Sequence, residues 1–199
     1  MPGSKSTVKV PIGMRVSAFF PITSEPETGR PVYGPEVDMG AAVKGYLSVT
    51  TASATIPGDD ITQVEIERFV SGQLDVETTM SDLEVNATLY GHTYSEETGE
   101  VSNAEDTPKD GGYAMIEPIL KKDKTVIYRV SCFLKVSAIA SSEKQEADTK
   151  KGGELTPKNN AVSLKVMECA TGEWRIRKEF AGLAEAKAFY KSVFTGSGT

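Results

Sequence analysis

The chain has 199 residues, 39% of them hydrophobic, and 22 Lys and Arg against 28 Asp and Glu give a net charge of −6. That length supports one domain with a core of its own, and the apolar share suits thin β layers under much polar surface rather than disorder. The acidic balance excludes a surface built to grip nucleic acid by counterion release. It fits a passage that DNA slides along without sticking, and ordinary solubility charge accounts for it as well.

The start, Met1-Pro2-Gly3-Ser4-Lys5-Ser6, lacks an apolar h-region, and no stretch is continuously apolar enough to span a bilayer, so synthesis and folding in the cytosol are expected. Val8, Val10 and Ile12 alternate with Lys9 and Pro11, and Met14 to Phe20 adds a second apolar run, which together predict an N-terminal strand interrupted near Gly13. Pro21 to Pro35 carries Pro21, Pro26, Pro31, Pro35, Gly29 and Gly34, a density that predicts a loop or stiff extended arm without regular structure. Val43 to Thr55, rich in β-branched residues, predicts a strand with Tyr46 packed inward.

Pro57-Gly58-Asp59-Asp60 is a turn cluster, and Val64 and Ile66 alternate with Gln63, Glu65 and Glu67 as in a half-buried strand. Ser71-Gly72 breaks that run. The alternation then returns, with Leu74, Val76 and Met80 facing one way and Gln73, Asp75, Glu77 and Thr79 the other. Ser81-Asp82-Leu83-Glu84 has the form of a capping box, with Met80 and Val85 as a hydrophobic staple. Leu83, Ala87 and Tyr90 follow at helical spacing, and Gly91 supplies a left-handed stop, so a short helix over 81–90 is expected.

Thr93 to Gly112, polar and acidic, is expected to be a solvated loop. Tyr113 to Leu120 and Thr125 to Ala140 form a hairpin through Lys121-Lys122-Asp123-Lys124, and Val126, Tyr128, Val130, Cys132, Leu134, Val136 and Ala138 are expected on one face. Ser141 to Asn160 has almost nothing apolar; it is either solvated charge or an arm used elsewhere. Val162, Leu164 and Val166 alternate up to Cys169, a turn follows at Ala170 to Glu173, and Trp174, Ile176 and Phe180 alternate back, which predicts a second hairpin anchored by Trp174. Leu183, Ala186, Phe189, Tyr190, Val193 and Phe194 then share one stripe of a helix over about 183–194, and the Gly196 to Thr199 tail is expected to be loose. Cys132 and Cys169 lie in apolar strand patterns and are expected as buried free thiols. The fold class is mainly β, a β-sandwich or half-barrel flanked by the two helices, in a single domain over 1–199 with arms at about 21–35 and 141–160.

A catalytic constellation is missing from the pattern. His92 is the one histidine, which leaves no triad and no multi-histidine metal site, and it is expected at the surface or as a cap. Asp59-Asp60 and Glu96-Glu97 are adjacent pairs whose members point to opposite faces of an extended chain, unlike the opposed carboxylates of glycoside hydrolysis. There is no phosphate-cradling glycine loop, nucleophile elbow or calcium loop, and no cofactor or metal is expected. Asn86-Ala87-Thr88 fits a glycosylation pattern but falls inside the expected helix.

The Asp-Asp turn, the glycine-broken hairpin, and Ser81-Asp82-Leu83 leading into a helix that ends Leu89-Tyr90-Gly91-His92 resemble the major tail proteins of long-tailed bacteriophages of Gram-positive bacteria. The later order is similar too: Tyr113 to Ala140, then Thr149-Lys150-Lys151-Gly152, then a closing hairpin through Trp174. The resemblance covers most of the chain and rests on the order of turns and strands; the loops here are longer and more charged than the family pattern. It implies a tail-tube subunit of the virion, assembled in the host cytoplasm, whose sheets join neighbours around a ring, usually of six copies. The rings stack into a hollow tube through which phage DNA passes without specific binding. The implied partners are further copies of the chain and the tape-measure, terminator and distal tail proteins, with no membrane. Glu146, Lys150, Lys151 and Lys158 are candidate assembly contacts on the charged arm, and Asp59 and Asp60 candidates for the lumen or a subunit contact. A monomeric β-sandwich module binding carbohydrate or a host surface is the alternative, and an enzyme a third.

Overall fold

The computed structural model describes residues 8–58, 61–79, 82–143 and 159–196. Strand accounts for 53% of the chain and helix for 15%, in a β-sandwich-like fold with two helices. In chain order the elements are β1 (Lys9–Pro11), β2 (Ser17–Ser24), β3 (Val32–Tyr33), β4 (Val37–Asp38), β5 (Ala42–Gly58), β6 (Ile61–Thr78), α1 (Leu83–Tyr90), β7 (Thr93–Ser95), β8 (Gly99–Val101), β9 (Asp110–Lys121), β10 (Val126–Ala138), β11 (Asn160–Met167), β12 (Arg175–Phe180) and α2 (Leu183–Thr195). No described helix is long and apolar enough to cross a membrane.

The β9–β10 hairpin is the centre of the large antiparallel sheet, and each of its edges carries two strands end to end. Along β9, β1 pairs at Ile119 to Lys121 and β2 at Gly111 to Met115. Along β10, β12 pairs at Tyr128 to Phe133 and β11 at Lys135 to Ala138. β11 then pairs with β6, and β6 with β5. The expected β9–β10 hairpin is therefore present. The second expected hairpin is not: β12 follows β11 in sequence but pairs with β10, and a tight turn from Cys169 to Glu173 only redirects the chain.

Two cores lie on opposite faces of this hairpin. Phe19, Leu74, Val76, Tyr113, Met115 and Phe133 belong to the first, which α1 closes with Leu89 and Tyr90. Ala18, Phe20, Ala114, Ile116, Val130 and Cys132 belong to the second, covered by Ala186, Tyr190 and Phe194 of α2. Successive residues of β2 and β9 thus enter different cores, as the period of two demands. β10 does not keep to the single apolar face expected of it. Its register against β9 shifts between Phe133 and Val136, so Val136 and Ala138 join Phe133 in the first core while Cys132 and Val130 face the second. The extra residue of such a bulge usually loses ladder partners. Here the Leu134 N–H donates to the Trp174 carbonyl at 3.1 Å, and the Leu134 carbonyl accepts from the Tyr33 hydroxyl at 2.8 Å. The bulge sits where β10 exchanges β12 for β11.

Several local expectations need correction. Pro21 to Pro35 is not irregular throughout: β2 runs on to Ser24, and β3 pairs back with it at Tyr33 and Val32. Prolines are tolerated there because these short strands need few ladder donors. Ser71-Gly72 does not break the strand; β6 is continuous over 18 residues, with a register shift at Thr50/Thr51 opposite Ser71 and Phe69. Gly72 is small for packing reasons, since a methyl there would lie 3.1 Å from the Ser48 carbonyl oxygen and 3.3 Å from Val166 Cβ. The helix cap is Asp82, whose Oδ1 accepts from the Glu84 N–H at 2.9 Å, rather than Ser81, which like Met80 is outside the described residues. Leu83 is 53% exposed, and Ala87, Leu89 and Tyr90 form the inner stripe instead. Within Thr93 to Gly112, β7 and β8 form a small hairpin and β9 already begins at Asp110. Gly91 adopts the expected left-handed cap, the α2 stripe is as expected, and both cysteines are free and buried.

Candidate assembly surface

β5 is 17 residues long, which at about 3.4 Å per residue is roughly 55 Å, against a usual strand of about 5–6 residues. It ends the order of the large sheet, so among the described residues its one neighbour is β6 and its other edge is open. Natural edge strands are commonly blunted by charge, proline or brevity, because a bare row of N–H and C=O groups templates pairing with another chain. In Ala42–Gly58 the one charged residue is Lys44, and the one proline is Pro57 beside the tip.

The two faces of this strand differ. Gly45 and Leu47 turn inward opposite Val76 and Leu74, and Gly45 makes room for the Met14 and Met115 sulfurs. The outer face is a polar ladder in which Lys44 approaches Glu77 at 3.8 Å, and Asp75 accepts from Ser163 Oγ at 2.6 Å and Gln73 Nε2 at 2.9 Å. These two donors, Ser163 first, hold the Asp75 carboxyl below its ordinary range. Tyr46 lies on this face 61% exposed, not packed inward as expected, because the register that buries Leu47 turns its neighbour outward. Val43 and Val49 are also exposed.

β11 covers β6 only from Gly72 to Thr78, so beyond it the β5–β6 ribbon continues with two strands alone. A two-stranded ribbon is marginally stable in water by itself. Its base is held by Phe69, stacked on Trp174, with the Arg175 guanidinium 4.3 Å from the Trp174 ring centroid. Desolvation beside Trp174 and the nearby Arg177 lower the Arg175 pKa. Val70 and Ile66 on the same ribbon are exposed.

The expected site residues all lie outside the described residues. Asp59 and Asp60 lie outside the described residues, between the last β5–β6 pair at Gly58 and Ile61. Glu146, Lys150, Lys151 and Lys158 also lie outside them. The 21–35 segment is tied to the rest of the chain: Arg30 forms a two-pronged pair with Glu173 at 2.8 and 2.8 Å, and Lys135 reaches Glu25 at 2.6 Å. The importance of β5 was missed because its sequence announces a strand and not an edge.

His92 is not a surface residue. Its side chain is 8% exposed, stacks on Tyr90, and places Nδ1 2.7 Å from Glu100 Oε1. Glu143 completes a trio whose potential ligand atoms fall within 4.8 Å. The Asn86 amide donates to both carboxylates, at 2.9 and 3.1 Å, so the trio is already a satisfied hydrogen-bond network joining α1, β8 and the turn after β10. Compared with known proteins, the chain matches no family model and no curated sequence.

Proposed function

We propose that this chain is a structural subunit that assembles with copies of itself into stacked rings, forming the hollow tail tube of a long-tailed bacteriophage. The observation that carries the reading is the open β5 edge, long, nearly uncharged and continued into a two-stranded ribbon. Pairing with a neighbouring subunit would satisfy its backbone groups and give the ribbon the further strands that it lacks. The net charge of −6, repeated around a ring, disfavours adhesion of the phosphates of DNA passing through the lumen. Further copies are the primary partner, with the tape-measure, terminator and distal tail proteins at the tube ends. A carbohydrate-binding module asks for several aromatic rings on one platform. The exposed aromatics here, Tyr46 on β5 and Tyr94 on β7, lie on separate sheets.

Negative-stain microscopy and light scattering of the purified protein test this. Rings or tubes are expected from the natural chain. Val49→Lys with Thr51→Lys, which adds the missing charges to the edge, should abolish them while leaving the melting temperature nearly unchanged. A natural chain that stays monomeric at high concentration overturns the proposal.

A further inference from the structure

The charges of this subunit are sorted to the two ends of the β9–β10 hairpin, roughly 35 Å apart for the twelve residues of β9. At the Asp110 end, a cleft of about 450 Å³ is lined by Glu25, Glu105, Asp106, Asp110 and Lys109, and Lys135 reaches Glu25 at 2.6 Å and Asp110 at 3.5 Å, which leaves Glu105 and Asp106 as the acids free of ion pairs among the described residues. The β7–β8 hairpin packs on α1 beside it and carries Glu96 and Glu97 in its turn. At the opposite end, the β9–β10 turn carries Lys121, Lys122 and Lys124 around Asp123, whose carboxylate accepts from Thr125, and β1 places Lys9, paired with Glu179, in register with Lys121. A cleft of about 310 Å³ on β10 and β12 is lined there by Arg129, Arg177, Lys178 and Glu179.

The charges at the tips are unspent within the subunit. Glu96, Glu97 and Glu105 are exposed, as are Lys122 and Lys124, and none forms an ion pair with another described residue. We infer that copies of this chain stack head to tail, the acidic Glu96/Glu97/Glu105 end of one against the basic Lys122/Lys124 end of the next. The inference rests on the self-assembly reading above and assigns its axial contact, distinct from the lateral β5 edge. The occupant is a second copy because one species then meets both ends, each with the complementary sign. A contact between two different patches, unlike a two-fold one, repeats without closing and suits an open stack.

Three full-length variants test it by sedimentation velocity and negative-stain microscopy: Lys122→Glu with Lys124→Glu, which puts acids at both exposed tips; Glu96→Lys, Glu97→Lys and Glu105→Lys together, which puts lysines at both; and the two sets combined. All five positions are exposed, and circular dichroism verifies the fold of each variant. Each single-ended set should weaken stacking at least about ten-fold, with lateral rings retained. The two single-ended variants mixed in equal amounts, and the combined variant alone, should stack again. Raising NaCl from about 50 to about 500 mM should weaken natural stacking as screening tightens. Stacks from the Lys122/Lys124 variant equal to the natural ones, or no recovery on mixing, overturn this inference and leave the β5 reading standing. A natural chain that forms neither rings nor stacks overturns both.

Discussion

The rings of Phe69 and Trp174 lie parallel, 3° apart in plane, with centroids 4.3 Å from each other. Phe69 is on the part of β6 that β11 leaves uncovered, and Trp174 directly precedes β12, so one contact fastens the ribbon to the strands of the central hairpin. Trp174→Ala should cost about 2–3 kcal/mol by denaturant unfolding, at the low end for an aromatic truncation because the ring is only partly buried. A double-mutant cycle with Phe69→Ala should return a coupling of about 0.5–1.5 kcal/mol. Independent, additive losses would show that the stack does not hold the ribbon.

Gly111 faces β2 at Pro21, and a methyl group there would overlap the Phe19 ring and sit 2.8 Å from the Phe20 carbonyl oxygen. The ring is buried and the carbonyl is backbone, so neither can yield easily. Gly111→Ala should destabilise by about 1–3 kcal/mol, measured as a fall in the denaturant midpoint. Gly182→Ala, where the nearest atom lies 3.9 Å away, is the control and should have little effect.

Arg30 holds the Glu173 carboxyl below its usual range, chiefly through their hydrogen bonds, with a smaller contribution from the Thr171 hydroxyl. A depressed carboxylate contributes stability that is present above its unfolded pKa and is lost as pH falls through the folded one. Glu173→Gln should therefore narrow the difference in melting temperature between about pH 7 and about pH 3, and should change little at the acid end. Both side chains are exposed enough that the effect is small. An unchanged pH profile would show that the pair contributes nothing.

Burial in the second core pushes the Cys132 thiol up to about 12, and the thiolate is the reactive form. Iodoacetamide near pH 8 should leave Cys132 unmodified in the folded protein and alkylate it fully in denaturant, as read by mass spectrometry of the peptide. Rapid labelling of the native protein would mean that α2 lifts off its core.

Much of this architecture is legible in the residues because alternation is strong where one face is dry. Leu74, Val76, Val162, Leu164 and Val166 announce their strands and their buried sides, and α2 shows its stripe. What alternation cannot carry is a change of partner. The shift at Phe133/Val136 depends on where β10 exchanges β12 for β11, a relation among residues far apart in sequence. Ser71-Gly72 looks like a stop because glycine usually is one, while its small size serves the approach of Ser48 and Val166. β7 and β8 stay hidden because three-residue strands without a buried residue leave no apolar period. The proposed assembly surface is half legible: β5 reads as a strand, but being last in the sheet is a property of topology.

Both cores share β9 and β10, joined through a turn of four residues from Lys122 to Thr125. Closing so short a loop costs little chain entropy, and it sets the alternation that decides which side chain serves which face. Folding should then pass through a nucleus at this hairpin, with high φ-values at Ile116 and Val130 and low ones along the ribbon. Substitutions in that nucleus would slow the forward reaction, whereas those on the ribbon would mainly hasten unfolding. The edge proposed to meet neighbouring copies would be the last part of the molecule to take shape.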